Sequence, residues 1–238
     1  MSQMGMLARL SDKLIQEAKK KLTREPERVD RNMPLGVHLG DVITLDSTAF
    51  LLGAGQLLLE CPQGGLTVKA IGYYDLASVK YYRIYLDHPC NDDSYFLTLG
   101  LDDNGEVVET IFFKESYEIY PQNDAEWAEW IEENEGHIGH YQLTLPTETQ
   151  YTRIFQSDDD NAPDWIGPVE FEEKITDDPY LTSVVKVQHS SMLYGRGLIT
   201  NGGTVSEYVW AEKQEYEDGA MIVVSVGVLI EPTFLIKI

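Results

Sequence analysis

Positive charge is what this sequence has least of: across 238 residues, 18 Lys and Arg face 40 Asp and Glu, for a formal net charge of −22 at pH 7. A chain so acidic repels DNA, RNA and anionic lipid, which excludes general nucleic-acid binding by its body. Cysteine is nearly as rare. Cys61 and Cys90 each stand beside a proline, and they lack the CxxC spacing of a metal site or redox couple. Two reduced, largely buried thiols at strand ends are expected, as in a reducing compartment. No apolar run reaches the roughly eighteen residues of a membrane span. Arg9, Asp12 and Lys13 interrupt the start of the chain, where a signal peptide would carry its apolar core. A cytoplasmic protein is expected, with any peripheral contact at the inner membrane left to its basic end.

Catalytic signatures are missing too. There is no GxSxG elbow, no P-loop and no dinucleotide fingerprint, which removes the usual sequence grounds for hydrolase, ATPase or dehydrogenase chemistry. His88-Pro89-Cys90 puts an imidazole and a thiol two positions apart, but the proline fixes the backbone between them. His189-Ser190-Ser191 is equally unspecific. His137-x-x-His140, with Glu133 or Glu135, has the residue types of a zinc set. Gly136 and Gly139 deny it the rigid helical frame of an HExxH site. Ser157-Asp158-Asp159-Asp160-Asn161 with Asp164 is rich in oxygen, yet lacks the alternating ligands, central glycine and closing glutamate of an EF-hand loop. No metal and no cofactor are expected at either place.

What positive charge there is gathers at one end. Residues 1–31 hold eight of the 18 Lys and Arg, among them Lys13, Lys19, Lys20 and Lys21, so residues 32–238 are left with a net charge of −25. Met4, Leu7, Leu10, Leu14, Ala18 and Leu22 recur at spacings of three and four, which predicts an amphipathic helix over 4–22. TREPERVDRNM, residues 23–33, loses that period and reads as a polar linker. Two units are expected: a basic helix and linker over 1–31, and an acidic body over 32–238. The four lysines are the candidate contacts to a partner or an anionic membrane surface.

The body reads as mainly β. Short runs rich in β-branched and aromatic residues recur between turns: DVITL, AFLLG, QLLLE, LTVKAIGYY, VKYYRIYL, SYFLTLGL and EVVETIFF. Asn104-Gly105 lies between the last two and offers the positive φ angles of a tight hairpin. After Pro121 the pattern changes once: Asn123 with Glu126 forms a capping pair ahead of Trp127, Trp130 and Ile131, which predicts one short helix. Strands resume with YQLTL, TQYTRIFQ, PVEFEEKI, LTSVVKVQ, SMLYGRGLI, VSEYVWAEKQ, AMIVVSVGVLI and TFLIKI. The expected architecture is an antiparallel sandwich or barrel-like body, in one or two sub-domains, with strand-rich halves at 32–122 and 138–238 flanking the helix.

One strand face stands out. Alternation puts Tyr81, Arg83 and Tyr85 on one side and Tyr82, Ile84 and Leu86 on the other. A face of tyrosine and arginine suits stacking on a sugar or a peptide, so these three are the candidate ligand-binding residues. Cross-strand aromatic pairs are equally ordinary glue within a sheet.

Met33-Pro34-Leu35-Gly36, Phe50-Leu51-Leu52, Tyr85-Leu86-Asp87, Ile119-Tyr120-Pro121, Ala125-Glu126-Trp127-Ala128-Glu129-Trp130-Ile131 and Met192-Leu193-Tyr194-Gly195-Arg196 together resemble the YjfK-like family of bacterial proteins of unknown function. The resemblance spans about residues 33 to 238 and implies no assigned activity and no catalytic residue. Genes of that family tend to sit beside those for a phage-shock-protein-A-like membrane-stress protein, which implies an accessory role in envelope stress. The expectation is therefore a non-catalytic interaction protein that meets a basic protein surface or a membrane-stress protein, with the basic helix touching partner or lipid. The alternative is a small-ligand or carbohydrate binder, or an enzyme, using the tyrosine-rich face or the histidine and acid loops.

Overall fold

The computed structural model describes residues 28–76, 79–154, 163–180, 183–200 and 202–237. The helix expected over 4–22, Lys13, Lys19, Lys20 and Lys21, and the Ser157–Asp160 loop lie outside the described residues.

Twelve strands form one antiparallel sheet: β1 (Val42–Leu45), β2 (Leu66–Leu76), β3 (Val79–Asp87), β4 (Ser94–Leu101), β5 (Val107–Ile119), β6 (Gln142–Thr144), β7 (Gln150–Arg153), β8 (Val169–Thr176), β9 (Val185–Thr200), β10 (Gly203–Tyr216), β11 (Gly219–Leu229) and β12 (Leu235–Lys237). Eight of them close on themselves in the order β2-β3-β4-β5-β11-β10-β9-β8, and β8 returns to pair with β2. The body is thus mainly β, as the alternation predicts, and its centre is a barrel. Strands from both sides of the central helix share it, since β5 pairs with β11 and β2 with β8. Val185–Gln188, the end of LTSVVKVQ, and SMLYGRGLI, separate runs in the sequence, become the single strand β9. Its first half pairs with β8, and Gly195 and Tyr194 pair with β7.

A closed barrel has an inside and an outside, and the register assigns each side chain to one of them. Tyr85 lies opposite Phe96, Phe96 opposite Phe113, Phe113 opposite Gly227, and Gly227 opposite Tyr208, so these share one face. Tyr74, Phe96, Ile111, Phe113, Phe171 and Trp210 make a compact cluster on it. Their strands lie on opposite sides of the barrel, so this face is the lumen.

The larger apolar cluster lies on the outer wall, where Ile84, Leu97, Phe112, Val224, Val226 and Val209 are covered by the remaining segments. Helix α1 (Thr48–Leu52) lays Phe50 edge-on against Phe112, and helix α2 (Asp124–Ile131) packs Trp127, Trp130 and Ile131 onto the same layer. Strands with both faces covered read as nearly continuous apolar runs, as β4 and β11 do.

Three local expectations need correction. AFLLG is helical rather than extended, because a short apolar run lacks the length that separates the two periods; Asp46 Oδ1 accepts the Thr48 N–H and starts the turn. QLLLE forms no strand: Leu59 is buried in the outer layer, and the Leu58 N–H donates to Glu207. In the β4–β5 hairpin only Gly105 has positive φ, at 81°, while the Asp102 carboxylate accepts the N–H groups of Asn104 and Glu106. The turn is therefore a bulged loop with one left-handed residue, and the register slips between Gly100 and Leu101. Helix α2 starts as expected, with the Asn123 side chain accepting the Glu126 N–H.

Candidate functional site

The barrel lumen is where this chain concentrates its unusual chemistry. Arg83 projects into it from β3 with no exposed surface and forks onto Glu212 of β10, with Nη1 at 3.1 Å from Oε1 and Nη2 at 3.2 Å from Oε2. Its Nη1 also stands 3.4 Å from Glu173 Oε2 of β8. His189 of β9 lies between the two carboxylates. Its Nδ1 is 2.8 Å from Glu212 Oε2, and its Nε2 is 3.0 Å from Glu173 Oε2, in ion-pair reach although off the line of a good hydrogen bond. Tyr85 donates its hydroxyl to Glu173, and Gln214 donates its amide to Glu212.

Aromatic rings wall in these four charged groups. The Arg83 guanidinium sits 4.7 Å from the Phe96 ring centre, 4.8 Å from Trp210 and 5.8 Å from Tyr74, distances at which a desolvated cation is held by ring faces. The Phe171 ring stacks on the His189 imidazole at 4.7 Å. Gly72 makes room for the whole arrangement: a Cβ there would fall 1.6 Å from Glu173 Oε1. Glycine at this position lets the β8 carboxylate lie across β2 and reach Arg83.

The surroundings set the protonation of each group. Burial alone would raise the Glu212 carboxyl, but Arg83 and His189 outweigh it and hold it down at about 2. Burial lowers an imidazole, yet the charge of Glu212 and the contacts to both carboxylates carry His189 above its ordinary 6.5. Burial, and then the charge of Glu173, push the Tyr85 hydroxyl well above its ordinary range, so it stays a proton donor. Burial also raises the Glu115 carboxyl, helped by Glu212.

Chemically this is a closed ionic network with a cation already at its centre. Arg83 fills the place between Glu173 and Glu212 where a metal would have to sit, and among the described residues no group of three or more His, Cys, Asp and Glu is arranged to hold an ion. Tyr81, Arg83 and Tyr85 do share a face, as alternation predicts, and that face is the inner one. Tyr81 stacks on Tyr74, while Arg83 and Tyr85 are engaged by Glu212 and Glu173. Sequence reasoning named Arg83 and Tyr85 as candidate ligand contacts, weighed His189 only as an unspecific His-Ser-Ser run, and missed Glu173 and Glu212. The one available signal was alternation within PVEFEEKI and VSEYVWAEKQ, which puts Glu173 on the face of Val169, Phe171 and Ile175, and Glu212 on the face of Tyr208 and Trp210.

The other candidates stand apart. The His140 ring meets the Glu135 carbonyl at 3.1 Å, and the His137 ring packs edge-on against Trp130. A polar hollow is lined by His88, Cys90, Asn91 and Asp93, and a second one beside it is lined by Cys61 and Tyr95 together with His88, Asn91 and Asp93. Both cysteines are free. Cys61 is half-buried, but Cys90 is exposed, contrary to expectation, because Pro89 and Cys90 belong to a turn beyond the end of β3, where the Cys90 N–H donates to His88 Nδ1. No helix among the described residues is long and apolar enough to cross a membrane.

Comparison with known proteins agrees with the scattered motifs. The chain is 30% identical over 145 residues to the uncharacterised protein YjfK of Escherichia coli (strain K12), a match covering 60% of this chain and 62% of that relative. No solved structure matches. A family model described as a protein of unknown function, DUF2491, matches residues 12–235, and the chain belongs to that family.

Proposed function

We propose that this protein is a non-catalytic interaction protein whose acidic exterior engages a basic protein surface. The observation that carries this reading is the disposition of its few cations. Arg83 and Arg153 are buried, and Arg196 is turned onto Glu207. Lys69, Lys114, Lys174, Lys186 and Lys213 each stand 2.7 to 3.9 Å from a carboxylate. Lys80 stands exposed outside these pairs, and the rest of the exterior is dominated by acids, which are densest where cations are missing: between Lys114 and Arg153 the chain has nine Asp and Glu and no Lys or Arg. Asp124, Glu126, Glu129, Glu132, Glu133 and Glu135 are all exposed there, on and just after α2. A field of one sign steers a partner of the other and speeds encounter. Residues 1–31 carry the opposite sign and are the second contact, to the same partner or to an anionic membrane surface. An accessory place in envelope stress rests on the family resemblance alone.

The test is retention of proteins from a bacterial extract on the tagged full chain at low and high salt. Basic proteins retained at low salt should elute as salt rises above about 0.1 M, where exposed charges are screened beyond about 10 Å. Glu129→Lys with Glu132→Lys and Glu133→Lys should release them while leaving the unfolding curve unchanged. Retention that ignores both salt and these reversals would remove the reading.

A further inference from the structure

We infer that the seam between β2 and β8 is a pH-dependent latch, held closed while the imidazole of His189 carries a proton on both nitrogens. The geometry comes first. Both ring nitrogens face carboxylate oxygens, Nδ1 towards Glu212 at 2.8 Å and Nε2 towards Glu173 at 3.0 Å. A neutral imidazole has one N–H and one lone pair, so one of its nitrogens would turn a lone pair on a carboxylate; only the imidazolium offers a donor to each.

Charge counting agrees. With His189 protonated, Arg83 and His189 balance Glu173 and Glu212, in a site where none of the four side chains is more than 1% exposed. Loss of that proton leaves one uncompensated negative charge in the lumen. None of the remaining titratable groups around it brings a compensating positive charge. Tyr74 from β2, Tyr85 from β3 and Tyr216 from β10 are all pushed upward and stay neutral, and Glu115 from β5 gains a proton more readily than an ordinary glutamate rather than supplying a positive charge. The faces of β4 and β11 bring only Phe96, Thr98, Val223 and Ser225 to this level.

The strain then falls on the weakest join of the barrel. β2 and β8 pair through three residues on each strand, Ile71 to Tyr73 with Lys174 to Thr176, whereas β8 holds β9 through seven and β2 holds β3 through nine. Glu173 is the next residue along β8 from that join, and its carboxylate lies over Gly72 of the seam itself. Swinging Glu173 out to water relieves the excess charge and parts β8 from β2, while the long ladders of β9, β10 and β11 stay intact.

Amide hydrogen exchange on the full chain, from about pH 5 to about pH 9 and corrected for the intrinsic pH dependence of exchange, tests this. Opening at residues 71–73 and 174–176 should rise about tenfold per pH unit above the ordinary imidazole range and level off at the midpoint of His189 in the closed barrel. That midpoint is read independently from the His189 ring resonances. Amides of β10 and β11 at 209–213 and 222–226 should show no such rise. Glu173→Gln removes one negative charge, so a neutral His189 no longer leaves an excess, and the pH slope at the seam should vanish. The latch is overturned if the seam amides are flat with pH in the unaltered protein, if they rise together with those of β10 and β11, or if His189 titrates in the ordinary imidazole range. A folded Glu173→Gln protein that keeps the slope overturns it as well. Should that variant fail to fold, the first three readings, taken on the unaltered protein, still decide.

Discussion

The two faces of one barrel wall are built on opposite principles. The outer face is an aliphatic and aromatic layer tiled by α1, α2 and the short strands, and its buried carboxylates are Glu207, met by Arg196, Tyr151 and the Leu58 amide, and Asp30, met by Arg28 and the Leu39 amide. The inner face has fewer apolar groups and four charged ones. It also holds most of the buried polar atoms that lack a protein hydrogen-bond partner: the hydroxyls of Tyr74, Thr98 and Ser225, Arg83 Nε, His189 Nε2 and Trp210 Nε1, with only Thr110 and Trp165 lying elsewhere. Apolar burial contributes stability roughly in proportion to area, whereas a buried ion pair offsets its own desolvation at best. The outer layer therefore makes the fold stable. The lumen makes it conditional on protonation.

The comparison breaks most sharply at Arg83. Arg83→Met keeps the bulk of the side chain but strands Glu173 and Glu212 without their shared cation, and a loss of about 3–5 kcal/mol is expected from chemical denaturation. The outer-wall counterpart is Leu97→Ala, on the neighbouring strand and fully buried, with an expected loss of about 2–5 kcal/mol from lost transfer energy and the cavity left behind. The two differ in kind as well. The Arg83→Met loss should shrink at low pH, where Glu212, without the cation that holds it down, can take up a proton, while the Leu97→Ala loss should be flat with pH.

The pH dependence of the unaltered protein sharpens the same contrast. His189 is raised, so its stabilising contribution is fully present below its ordinary 6.5 and is lost as pH rises through the higher folded value. Glu212 is depressed, so its contribution is present above the ordinary glutamate value of 4.5 and is lost as pH falls through about 2. Denaturant midpoints should be highest between 4.5 and 6.5 as far as these two groups are concerned. In His189→Gln the alkaline fall should disappear. The smallest effect belongs to the periphery: Asn123→Ala removes the side-chain cap of α2 and should cost about 1 kcal/mol by the same denaturation.

Much of this was legible in the sequence, because it depends on local pattern. The alternation of Tyr81, Arg83 and Tyr85 against Tyr82, Ile84 and Leu86 is what the structure shows, and so is the Asn123 cap. Thr48–Leu52 was not legible, since five residues carry no period long enough to separate helix from strand. Nor was the meaning of Arg83. An arginine on a tyrosine face looks like a surface for ligands until the sheet closes around it.

By itself the sequence determined most of the strands, the capped helix and the uneven charge of a basic beginning and an acidic body, because each follows from residue type, period and charge over a few neighbouring positions. It did not determine which face of each strand looks inward. That choice was made only when β8 paired with both β9 and β2 and closed the barrel. Closure brought Arg83, Glu173, His189 and Glu212, from four strands spread over 130 residues, to within hydrogen-bond distance. Excluding water from a buried ionic network requires a surface enclosed on every side, and no segment of the chain can supply that alone.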